Sequence, residues 1–293
     1  MKKKIVFISV LLTLVLLGCK EAETVKETET VKPTDTVMET ENHEVIESQT
    51  EIPEVAEVDY SASFEGVDGC AVLYDGQSGK YTVYNQPLAE TQASPCSTFK
   101  IVSVLIGLEN GIVTNADDKL GYDGTEYAVE AWNKDLTLKD AFSSSCVWYF
   151  RKLIDQAGED AVGQMLARLH YGNCDISQWE GSGLNPMPQL NGFWLESSLM
   201  ISPKEQVEVL ANIFEGKTGV SEHSLEVLKK VMYRESVGDQ DIYGKTGSGS
   251  QNAWFVGFTE ENGKRVYFAV RITGDGENVH GNKAMEIALS ILN

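Results

Sequence analysis

Hydrophobic positions along this chain change their period several times, and each change marks an element. Val72-Leu73-Tyr74 and Tyr81-Thr82-Val83-Tyr84 flank Asp75-Gly76-Gln77-Ser78-Gly79, and two such runs around a glycine-containing turn predict a hairpin. Behind Pro95 and a Ser/Thr pair, Ile101, Val102, Val104, Leu105, Ile106 and Leu108 recur at helical spacing, which predicts a helix start. The same spacing predicts a helix over 138–156, with Ala141, Phe142, Trp148, Tyr149, Phe150 and Leu153 as its apolar positions. Further helices are expected over 159–169, over 202–214 with Pro203 in the first turn, and over 282–292 at the end of the chain. Between the last two, residues 241–246, 253–259 and 265–272 alternate or run apolar around Glu261-Asn262-Gly263-Lys264, the pattern of antiparallel strands. Strands at both ends of a helical middle predict an α/β sandwich whose N- and C-terminal segments share one antiparallel sheet.

The first sixty residues follow none of these periods. Met1-Lys2-Lys3-Lys4 and the apolar run over 5–17 have the basic flank and short core of a secretory signal, too short for a membrane span. The run ends in Leu16-Leu17-Gly18-Cys19, which resembles a bacterial lipobox. The expectation is therefore a signal peptide over 1–18 and lipidation of Cys19. An incidental cysteine after a plain signal is the alternative. Residues 20–59 carry Glu, Thr, Val and Pro with no aromatic side chain before Tyr60, too little apolar surface to fold. They read as a disordered acidic tether over 19–59, leaving a domain over 60–293. Such a protein would be held by its lipid outside the cell, and a long tether suits the outer face of a Gram-positive membrane. The net charge of -20 and the absence of Lys/Arg clusters exclude a nucleic-acid partner. Of Cys70, Cys96, Cys146 and Cys174, none forms a Cys-x-x-Cys pair, and the histidines are scattered, which disfavours a metal site. An extracytoplasmic setting leaves a Cys96–Cys146 bridge open; two small buried thiols are the simpler reading. Nothing in the pattern fixes the oligomeric state.

Ser97-Thr98-Phe99-Lys100 is the strongest chemical signal. Residues three apart on a helix share a face, so Ser97 and Lys100 point the same way. A serine hydroxyl is a weak nucleophile until a neighbour takes its proton, and lysine can do so only where burial makes it neutral. Phe99 and the apolar run supply such surroundings. Alone, the same four residues also describe a capping serine beside a solvated lysine. Ser145-Cys146-Val147 in the helical middle and Lys245-Thr246-Gly247 ending a strand complete a set of three motifs. Singly, Ser145 also reads as a plain polar residue, Trp194 as a core aromatic and Lys245 as a solvated strand end.

In this order the motifs resemble those of the penicillin-recognising serine enzymes, where Ser-x-x-Lys, a second serine motif and Lys-Thr-Gly converge on one cleft. Ser145-x-Val147 in place of Ser-x-Asn is similar to class D β-lactamases and their sensor relatives. Tyr171-Gly172-Asn173 and Phe193-Trp194-Leu195-Glu196 with Ile201-Ser202 also resemble class D segments, and the likeness runs from about residue 65 to the end of the chain. It implies a β-lactamase/transpeptidase-like α/β fold and hydrolysis of penicillin-type β-lactams through an acyl-enzyme on Ser97. It further implies that Lys100 is N-carboxylated by carbon dioxide or bicarbonate and serves as general base, with no other cofactor. Val147, Trp194 and Leu195 would form the apolar surround, the Trp194 indole donating to the modified lysine, and Leu195 would also touch substrate. Ser145 would relay a proton to the leaving nitrogen. Lys245 and Thr246 would hold the substrate carboxylate, with Gly247 permitting close approach and the N–H groups of Ser97 and Ser248 forming the oxyanion hole. One feature departs from the family: class D enzymes place an arginine shortly before the terminal helix, and Asn278-Val279-His280-Gly281-Asn282 has none. Arg271 on the preceding strand is the candidate replacement. The resemblance is shared by sensor domains that keep the acyl group and by D-Ala-D-Ala transpeptidases or carboxypeptidases, the latter disfavoured by Ser145-x-Val147.

Overall fold

Strands from the two ends of the chain pair in a single sheet. In the computed structural model, which describes residues 54–292, the strands are β1 (Val55–Glu57), β2 (Gly69–Asp75), β3 (Tyr81–Tyr84), β4 (Tyr233–Val237), β5 (Gln240–Ser248), β6 (Asn252–Glu261) and β7 (Lys264–Thr273). Their order is β1-β3-β2-β7-β6-β5-β4. The helices are α1 (Ser61–Phe64), α2 (Gln86–Ala89), α3 (Lys100–Glu109), α4 (Leu138–Ser143), α5 (Val147–Leu169), α6 (Pro203–Phe214), α7 (Glu222–Met232) and α8 (Gly281–Leu292). A 3-10 turn, Cys96–Phe99, leads directly into α3. The expected α/β architecture, with β2 pairing against β7 from Gly69↔Ile272 to Asp75↔Val266 and helices between, is the one observed.

Alternation along the central strands gives the sheet two apolar faces. Cys70, Val72, Trp254, Val256, Phe258, Tyr267 and Ala269 belong to the larger core, shared with the middle helices. Ala71, Phe255, Phe268, Val270 and Ile272 face the other way and pack with Phe64 and with Ala284, Ile287 and Ala288 of α8. The N-terminus of α6 is fixed by a capping box, in which Ser202 accepts from the Glu205 N–H and Glu205 accepts from the Ser202 N–H.

Three sequence expectations need correction. The folded domain starts before residue 60, because β1 pairs in parallel with β3 through Val55↔Tyr81 to Glu57↔Val83; the sheet is mixed at this edge rather than wholly antiparallel. The single helix expected over 138–156 is two, interrupted at Ser144–Cys146, where Ser145 takes a left-handed conformation with φ 57°. Gly158, with φ 79°, does separate the second stretch from the third as the pattern implied. The expected signal segment, the Cys19 lipidation site and the tether up to residue 53 lie outside the described residues. Among the described residues no helix is long and apolar enough to cross a membrane.

Candidate active site

Ser97 is partly exposed on the turn ahead of α3, and Lys100, one helical turn later, is completely buried. Lys100 Nζ lies 2.8 Å from Ser97 Oγ and 5.6 Å from the centre of the Phe150 ring. Among the described residues no carboxylate compensates it, and burial pulls its pKa down from 10.5 to about 8. The solvated-lysine reading of this motif is thereby removed. As an ammonium Lys100 donates to Ser97; as a neutral amine it accepts the Ser97 proton. Immediately before Ser97, Cys96 adopts φ 49°, a strained conformation for a residue with a side chain.

The cavity beside Ser97, about 430 Å³, is lined by Val147, Leu195, Glu196 and Ser248 together with Tyr127, Trp132, Leu190 and Asn191. Four sequence-nominated residues, Ser97, Val147, Leu195 and Ser248, therefore meet around one space. Ser145 stands at the α4–α5 junction two residues before Val147, its N–H donating to the Phe142 carbonyl at 3.2 Å. Lys245 is buried rather than solvated: its Nζ donates to the Thr246 carbonyl at 2.9 Å and sits 5.7 Å from the centre of the Phe142 ring. Burial first, and the Lys100 and Arg234 charges next, hold its pKa well below 10.5. Gly247 lets β5 lie against the turn that carries Ser97, since a Cβ there would come within 3.0 Å of the Pro95 carbonyl oxygen and 3.1 Å of Thr98 Cγ2. Behind it, the first residue of α8 donates its N–H to Ser248 Oγ at 2.9 Å.

Trp194 is fully buried between Phe99 and Phe193, with ring centres 5.6 and 5.0 Å away. Among the described residues its Nε1 has no acceptor. The segment that carries it is stapled on both sides. Ser94 Oγ donates to the Trp194 carbonyl and accepts from the Glu196 N–H, both at 2.9 Å. Asn173 donates from Nδ2 to the Ser198 carbonyl at 2.8 Å and accepts from the Met200 N–H at 3.0 Å. Gly172 (φ 53°) passes so close to the Met200 carbonyl that a side chain has no room. The Tyr-Gly-Asn and Trp-Leu segments thus form one device. Cys96 and Cys146 are free thiols, each pushed up to about 11 by burial.

Arg271 does not reach this cavity; it lines a neighbouring one, where Nη1 donates to the Thr91 carbonyl at 2.9 Å. Sequence reasoning missed Tyr127, Trp132, Leu190, Asn191 and Glu196. The first four lie in connections without regular period, Tyr127 and Trp132 between α3 and α4 and Leu190 and Asn191 between α5 and α6, where no local pattern marks them.

Comparison with known proteins places this geometry. Residues 69–293 match the penicillin binding protein transpeptidase domain family. The regulatory protein BlaR1 of Bacillus licheniformis is 37% identical over 241 residues, covering 80% of this chain but only 38% of BlaR1. The solved C-terminal domain of that penicillin receptor superposes with a TM-score of 0.74 at 36% identity, covering 82% of this chain and 96% of the domain. YbxI of Bacillus subtilis, a probable β-lactamase, is 34% identical over 242 residues, 81% of this chain and 85% of YbxI. A class D β-lactamase structure from Bacillus subtilis gives a TM-score of 0.71 at 33% identity, covering 80% and 94% of the two chains. On these matches the chain belongs to the penicillin-binding transpeptidase-domain family of serine enzymes, among relatives that include class D β-lactamases.

Proposed function

We propose that this protein is a class D-type serine β-lactamase, in which Ser97 takes the acyl group of a penicillin-like ring and water then releases it. The observation that carries the reading is the buried Lys100, 2.8 Å from Ser97 Oγ and with its pKa drawn to about 8. In its neutral form Nζ takes the Ser97 proton as Oγ attacks the lactam carbonyl. The N–H groups of Ser97 and Ser248 receive the negative oxygen. The ring C–N bond breaks and its nitrogen takes up a proton relayed through Ser145. Burial and the Lys100 charge hold the Lys245 pKa well below 10.5, and a substrate carboxylate beside it would favour its charged form, so binding and charging are coupled.

N-carboxylation of Lys100 suits these residues: the amine is buried and readily neutral, and Trp194 Nε1 is a buried donor without an acceptor. When present, the group would supply an anionic oxygen base beside Ser97, with Trp194 as the residue to hold it. The identity to BlaR1 supports a second reading, a receptor-type domain in which the acyl group stays on Ser97. Steady-state hydrolysis of benzylpenicillin, with and without bicarbonate and alongside Ser97→Ala, separates the two. Sustained turnover that depends on Ser97 and rises with bicarbonate supports the lactamase; one stoichiometric burst supports the receptor; no reaction contradicts both. Cys19 lipidation and an extracytoplasmic, membrane-held location complete the proposal, and Cys19→Ser should then move the protein out of the membrane fraction.

A further inference from the structure

A second cavity, of about 670 Å³, adjoins the Ser97 cavity. Glu196 lines both. Its carboxylate accepts from the Ser250 N–H at 2.7 Å and from the Ser250 hydroxyl, so the β5–β6 turn and the segment after Trp194 meet at the boundary the two spaces share. Ser248 lies on the Ser97 side and Ser250 on the other.

Arg271 lines this second space and is 7% exposed. Its guanidinium stacks on Trp254, 5.2 Å from the ring centre. Trp254 is itself fixed, its Nε1 donating to the Ser94 carbonyl at 3.1 Å and to Asn252 Oδ1 at 2.6 Å. Arg271 Nε is buried without an acceptor, and among the described residues no carboxylate lies within ion-pair distance of it. A buried cation without a counter-ion is strongly unfavourable. The lining offers mainly neutral partners, Gln92, Gln251, Asn252 and Thr273. Its two acids are Glu196, already engaged by Ser250, and Asp275. Their charges disfavour a polyanion and leave a single carboxylate as the matching ligand.

We propose that this second cavity is a subsite for one carboxylate at the end of the substrate's acyl side chain, held by Arg271 while the lactam ring lies at Ser97. The proposal rests on the β-lactam reading above. Its test compares the second-order rate constants for acylation of Ser97 by benzylpenicillin, by a penicillin with an adipyl side chain, and by the methyl ester of that side chain. The free carboxylate should acylate the wild-type protein about tenfold faster than its ester, as a hydrogen bond to a charged group implies. Arg271→Gln should bring that ratio to about one, and Arg271→Lys should retain part of it. Equal rates for acid and ester in the wild type, or an unchanged ratio in Arg271→Gln, overturn the subsite. The wild-type ratio decides the matter even where a variant fails to fold. No acylation by benzylpenicillin would overturn the β-lactam reading and the subsite with it, a result distinct from equal rates.

Discussion

Replacing Lys100 with methionine should stabilise the folded protein at neutral pH while abolishing acylation of Ser97. Burial draws the lysine pKa from 10.5 to about 8, and at about 1.4 kcal/mol per unit this corresponds to about 3 kcal/mol of destabilisation at pH 7. Below pH 8 both folded and unfolded chains hold the proton and the full penalty is present. Between 8 and 10.5 the unfolded chain binds more protons than the folded one, so stability rises with pH and the penalty fades. Methionine fills a similar volume without charge. The lost contact with Ser97 takes back about 1 kcal/mol, and relief of the repulsion felt by Lys245 acts in the opposite direction. Urea unfolding in bicarbonate-free buffer should therefore show Lys100→Met about 2 kcal/mol more stable than wild type at pH 7, an advantage that has largely gone by pH 9.5. A variant less stable than wild type at pH 7, or a gap that does not change between the two pH values, would refute the claim that Lys100 is held in the fold against its charge.

Other consequences can be checked in parallel. Gly247→Ala puts a methyl group 3.0 Å from the Pro95 carbonyl oxygen, so thermal or chemical unfolding should register a loss of about 1–3 kcal/mol, and β5 should move off the catalytic turn with a fall in acylation rate. Trp194→Phe removes the buried donor that lacks an acceptor; turnover should drop by about two orders of magnitude and stop responding to bicarbonate, and an intact bicarbonate response would contradict the role given to the indole. Ser202→Ala opens the capping box of α6 and should cost about 1 kcal/mol in urea unfolding without altering the pH dependence of Ser97 acylation.

Much of the sheet and the Ser97–Lys100 pairing was legible because the relevant signals are local. Three-residue spacing put Ser97 and Lys100 on one face, and alternating or continuous apolar runs located β5, β6 and β7. The break at Ser145 was not legible: the apolar stripe from Ala141 through Phe150 continues across it, and the left-handed residue there is a serine rather than a glycine. β1 was hidden by its own exposure, since Val55, Ala56 and Glu57 are all solvent-facing at the sheet edge and share the acidic composition of the residues before them. β4 is likewise mostly exposed. Arg271 shows the limit of pattern reasoning most directly. Its strand was predictable, but which of two adjoining cavities it reaches depends on Trp254 and the Thr91 carbonyl, partners far away in sequence.

The central claim is that Ser97 forms and then loses an acyl group, with Lys100 as the base. Intact-mass spectrometry over time after mixing with excess benzylpenicillin in bicarbonate buffer tests it most directly. One covalent adduct is expected, mapped to the peptide containing Ser97 and absent from Ser97→Ala, that disappears when the antibiotic is exhausted while the hydrolysed product accumulates. No adduct and no product, or an adduct on any other residue, would contradict it.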